Sequence, residues 1–84
     1  MSSAPIVLPT VREALDDVAG DLRRCARLAG GTLVVELTAE GEAFGKVAVQ
    51  DTSDRDIMRC VEDVITPLRF VATPQQFFAE EYMP

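Results

Sequence analysis

The sequence predicts an α+β fold: a small two-layer αββα unit in which two helices cover one face of an antiparallel hairpin, with a C-terminal strand or short helix added. Three stretches carry this expectation. In "TVREALDDVAGDLRRCARLAGG", the residues Val11, Leu15, Val18, Leu22 and Cys25 recur at alternating spacings of four and three, which aligns them on one stripe of a helix. In "TLVVELTAEGEAFGKVAVQ", Leu33, Val35 and Leu37 alternate with Val34, Glu36 and Thr38, the period-two pattern of a strand with one buried face. In "DIMRCVEDVITPLRF", Ile57, Cys60, Val61, Val64, Ile65 and Leu68 return to helical spacing on a single face.

Each element has local chemistry behind it. "SSAPIVLP" is a short apolar run between prolines, so residues 1–9 are expected to form an extended N-terminal arm or a short strand, with residues 10–84 as the single folded domain. Thr10 with Glu13 three residues on is a capping box, in which each side chain satisfies the other's backbone donor. Gly20 interrupts the first helix at a cost of about 1 kcal/mol relative to alanine. Arg23, Arg24 and Arg27 suit the negative end of its dipole, and Gly30 and Gly31 supply the stop. "AEGE" turns the hairpin around Gly41, and the return strand alternates Gly45, Val47 and Val49 with Phe44, Lys46, Ala48 and Gln50. The second helix is expected to begin at Thr52 or Ser53, with Asp54 and Asp56 in its acidic first turn, and to end near Thr66 before Pro67. In the tail, Thr73-Pro74-Gln75-Gln76 reads as the start of a short helix running to Tyr82, while Phe77, Phe78 and Tyr82 would also suit a closing strand. Local chemistry favours the helix.

Composition narrows the classes of function. A chain of 84 residues forms at most one domain and buries only roughly 60–65% of its unfolded surface, so a disulfide or a partner would matter to its stability. Fourteen acidic residues against eight basic ones give a net charge of −6, which opposes phosphate backbones and anionic membrane surfaces. Neither nucleic-acid binding nor direct membrane insertion is expected; no apolar run approaches the roughly 18 residues of a span. Histidine is absent, which removes Ser-His and Cys-His chemistry and the commonest metal ligand. Asp51, Asp54 and Asp56 in "DTSDRD" lack the glycine and distal glutamate of a calcium loop and are explained by a capped helix start. The expectation is therefore no enzyme, no cofactor, no metal and no catalytic residue.

Cys25 closes the apolar stripe of the first helix and Cys60 lies on that of the second. Helices packed on one face of the hairpin would bring both sulfurs into one layer, either as a disulfide or as two buried thiols. Around them the chain resembles the TonB C-terminal-like domains of the AgmX type. The resemblance rests on a cysteine late in the first helix, "GGTLVVELTAEGEAFGKVAV" as a hairpin, "CV" in the second helix and the Arg69-Phe70 pair, and it covers about residues 12–70. The closing strand of such domains finds a poor match in "VATPQQFFAEEYMP". The resemblance implies a non-enzymatic protein–protein interaction module of a bacterial envelope or motility complex.

A small mixed sheet leaves a strand edge that can accept another strand. The expected mode is thus a protein partner, or self-association, through a strand edge over residues 43–50. The candidate partner-binding residues are Phe44, Gly45, Lys46 and Val47, with Phe77, Phe78 and Tyr82 as a second surface. The alternative treats "APIVLP" as a first strand and yields a small cytoplasmic adaptor or regulatory domain of ferredoxin-like topology. Location follows the same division: periplasmic if the chain is a piece of an anchored protein, cytoplasmic otherwise.

Overall fold

The computed structural model describes residues 7–84. The elements run α1 (Val11–Asp17), α2 (Ala19–Ala29), β1 (Leu33–Gly41), β2 (Ala43–Val49), α3 (Arg55–Ile65) and β3 (Thr73–Tyr82). The three strands form one antiparallel sheet in the order β2-β1-β3. The fold is α+β, as the sequence predicts.

The capping box at the start of α1 is complete, with Thr10 Oγ1 accepting from the Glu13 N–H and Glu13 Oε1 accepting from the Thr10 N–H, both at 3.1 Å. These two hydrogen bonds hold the Glu13 carboxyl below its ordinary pKa, the backbone donor being the larger cause. The single helix expected over residues 11–29 is broken at Val18, whose N–H reaches back only three residues to the Leu15 carbonyl at 3.2 Å. Asp16, Asp17, Val18 and Gly20 gather weak helix formers within five residues, and the break falls inside that run. α2 ends on Gly30 at φ +79, with the Gly31 N–H bonded to the Ala26 carbonyl at 3.2 Å. That six-to-one bond and the left-handed glycine form a Schellman ending. In α3 the N-cap is Asp54 rather than Thr52 or Ser53, and its carboxylate accepts from the Asp56 N–H at 2.9 Å. Thr66 caps the other end before Pro67.

The helices lie on one face of the sheet. Leu33, Val35, Leu37 and Ala39 on that face of β1 are at most 3% exposed and meet Val11, Leu15, Leu22, Ile57, Val61 and Ile65 in a single core. Phe70, which follows α3, is fully buried and stacks edge-on against Phe44 at 4.9 Å between ring centroids. Cys25 and Cys60 sit at disulfide-bonding distance, 2.12 Å between sulfurs and 5.8 Å between α-carbons, joining α2 to α3 in the helical layer.

The tail is where local chemistry misleads. Residues 73–82 form a strand and not the helix that Thr73-Pro74-Gln75-Gln76 favours. β1 is buried on one face and needs a hydrogen-bonded neighbour on each side, because unpaired backbone groups beside a core are costly. β3 fills the second side with pairs from Leu33–Tyr82 to Gly41–Thr73, and this ladder outweighs a one-turn cap. β1 is then paired on both sides, so no strand from before α1 can occupy the sheet centre as ferredoxin-like topology requires. The expected N-terminal strand lies mainly outside the described residues, and Val7–Pro9 belong to no strand. Among the described residues, no helix is long and apolar enough to cross a membrane.

Candidate interaction edge of the sheet

The sheet has two outer strands, β2 and β3, and among the described residues no strand pairs with the outside of either. Which backbone groups face outward follows from the ladder. The Gln50 N–H donates to the Val34 carbonyl at 3.0 Å, so Val34 and Gln50 are a hydrogen-bonded pair. Antiparallel pairs alternate, which makes Glu36–Ala48 and Thr38–Lys46 hydrogen-bonded as well. Val47 and Val49 therefore direct both N–H and C=O away from β1, at the free edge. By the same alternation, Phe77, Ala79 and Glu81 face outward on β3.

The two edges differ in chemistry. β2 is "AFGKVAV", without a carboxylate, whereas β1 carries Glu36 and Glu40 and β3 carries Glu80 and Glu81. On the helix-covered face Val47 and Val49 pack against the core yet stay only half-buried, with no strand beyond them among the described residues. On β3 the corresponding positions include Glu80, which pairs with Arg12 of α1. Arg12 also reaches Asp16 at 3.3 Å, so this position of β3 is tied to α1 by an ion-pair network. Among the described residues, β2 is the edge whose half-buried valines lie beside no carboxylate of their own strand, whereas the β3 edge sets the exposed Phe77 beside Glu80 and Glu81.

A bulge places the hairpin aromatics. Pairing steps from Thr38–Lys46 to Ala39–Phe44, leaving Gly45 as the extra residue on β2. Strict alternation puts Phe44 on the open face with Lys46; the bulge turns it inward against Phe70 and, at 6.4 Å, Phe78. Phe44 and Phe78 are thus half-buried parts of the core margin, and Tyr82, opposite Leu33, is 9% exposed. The aromatic surface expected from the tail reduces to Phe77, which is 76% exposed. Gly45 and Lys46 are exposed. Within the expected edge of residues 43–50, hydrogen-bond phase and not side-chain type selects the outward pair, which adds Val49 to Val47.

Burial raises the Tyr82 hydroxyl pKa, with neighbouring Glu80 adding to it. Among the described residues its oxygen has no hydrogen-bond partner. Tyr82→Phe is accordingly expected to change unfolding free energy by less than about 1 kcal/mol, since no protein hydrogen bond is lost. A larger loss in urea unfolding would place a partner on that hydroxyl.

The face of the sheet away from the helices carries a shallow trough of about 520 Å³ lined by Thr38, Lys46, Ala48, Gln50, Phe77 and Ala79. Across it Gln50 Nε2 donates to Glu36 Oε1 at 2.6 Å. Among the described residues no group of three or more His, Cys, Asp or Glu side chains is placed to hold a metal ion. In comparisons with known proteins, no family model, no curated protein and no solved structure matches this chain.

Proposed function

We propose that this chain is a non-enzymatic interaction module that takes an extended partner segment onto the free edge of β2. The observation that carries the reading is the coincidence, at Val47 and Val49, of outward backbone groups with half-buried apolar side chains. A strand laid there gains main-chain hydrogen bonds and covers the valines in one step. The resemblance to TonB C-terminal-like domains adds a setting, a bacterial envelope or motility complex. Cysteines at disulfide-bonding distance favour an oxidising compartment for it.

The test is peptide selection from a display library, with the bound site mapped by amide hydrogen exchange. Selected peptides should protect the Val47 and Val49 amides. Val47→Pro removes an outward donor while leaving the ladder to β1 intact, and should weaken binding by roughly tenfold or more. Ala79→Pro makes the same change on the β3 edge and should leave binding unchanged. Peptides that protect Phe77, Ala79 and Glu81 instead, and are lost with Ala79→Pro, would move the function to the other edge.

A further inference from the structure

We infer that the occupant of the β2 edge is the β2 edge of a second copy of this chain, giving one continuous six-stranded antiparallel sheet. The inference rests on the edge-binding reading above and names its partner. Pairing two β2 strands about a two-fold axis at Ala48 sets Val47 opposite Val49 of the second copy, and Val49 opposite its Val47. Both residues already direct N–H and C=O outward, so this register forms hydrogen-bonded pairs at both positions without moving the backbone. The contact is isologous and closes on itself.

Side chains fit the same register. On the helix-covered face the half-buried valines of one copy meet those of the other, a favourable β-branched cross-strand pair. On the open face Ala48 meets Ala48 of the second copy at a non-hydrogen-bonded position. There α-carbons approach to about 4.5 Å, so a small residue on the axis suits the site. Lys46 meets Gln50 of the second copy, so no like charges are opposed.

Charge selects this edge over the other. At a net charge of −6, two copies repel, and a shared seam must lie away from carboxylates. β2 has none, while a seam between two β3 strands would hold Glu80 and Glu81 of both copies. The register is also bounded. Gly45 ends the regular ladder on one side, and Asp51, at φ +57, ends it on the other. A slip of two residues either way would pair a valine with the bulge or with the left-handed turn, losing hydrogen bonds.

The experiment is sedimentation equilibrium on the full chain over a range of concentrations, joined to amide hydrogen exchange. The mass should rise from one chain to two with concentration. Exchange at Val47 and Val49 should slow by about tenfold when nine-tenths of the chain is paired, while Phe77, Ala79 and Glu81 stay fast. Ala48→Asp, which brings two carboxylates together on the axis, should restore the single-chain mass with an unchanged circular dichroism spectrum. A chain that stays single up to roughly millimolar concentration overturns the inference, as does a dimer whose Val47 and Val49 amides exchange as fast as in dilute solution. If the chain stays single but selected peptides still protect Val47 and Val49, the second copy falls and the edge reading stands. If those peptides protect other amides, both fall.

Discussion

Val35→Asp is expected to remove about 5 kcal/mol or more of the chain's stability at neutral pH. Val35 is 0% exposed at the centre of the sheet, between Val49 on β2 and Glu80 on β3, with its side chain under the helices. The substitution removes roughly 2 kcal/mol of apolar burial and adds the cost of a carboxylate without a partner, together about 5 kcal/mol or more. A chain of this size has a total stability of roughly 4–13 kcal/mol at about 0.05–0.15 kcal/mol per residue. The damage should ease in acid. Burial raises the folded-state pKa of the new carboxyl, so its penalty is absent below the unfolded pKa, where both states hold the proton. The penalty grows as pH rises toward the folded value. Urea unfolding followed by circular dichroism at several pH values measures this, and an unchanged midpoint at pH 7 would put Val35 on the open face. Val35→Ala, which adds no charge, should cost less and show no such pH dependence.

Breaking the link between Cys25 and Cys60 is expected to cost about 4 kcal/mol in the chain-entropy model, for a sequence separation of 35 residues. The closed loop holds β1, β2 and the hairpin turn, together with the adjoining parts of α2 and α3. α1 and β3 lie outside it, held by packing, by the β1 ladder and by the Arg12–Glu80 pair. Reduction by dithiothreitol isolates the bond, whereas Cys25→Ala with Cys60→Ala also removes sulfur packing at Cys25, which is 0% exposed. The double variant should therefore lose slightly more than the reduced chain. Mass spectrometry supplies the check: alkylation in denaturant should add nothing before reduction and two labels after it. Labels added before reduction would show two thiols and leave the stability gain unexplained.

The helical stripe through Leu15, Leu22 and Cys25, the capping box of Thr10 and Glu13, and the Val61 and Ile65 face of α3 were legible because each rests on contacts within about four residues. So did the alternation of β1, whose inward set of Leu33, Val35 and Leu37 is the buried set. The start of α3 moved by one or two residues to Asp54, the ordinary precision of a local signal, while the break at Val18 that splits the first helix in two was not legible. In the sequence Phe70 stands out only as part of an Arg-Phe pair, yet it is the largest fully buried side chain among the described residues. It follows Pro67 and belongs to no helix or strand, so no periodicity marks its direction.

The sequence by itself determined that two amphipathic helices and a hairpin would share one apolar layer, and that Cys25 and Cys60 would face that layer. Tertiary structure alone decided three things. It made residues 73–82 a strand, because the buried β1 needed a second hydrogen-bonded neighbour more than the tail needed its cap. It turned Phe44 inward, because one extra residue at Gly45 reverses side-chain direction and the aromatic ring gains Phe70. And it exposed Val47 and Val49 at an edge, because hydrogen-bond phase depends on which strand lies on the other side, and a single strand's sequence carries no record of its neighbour.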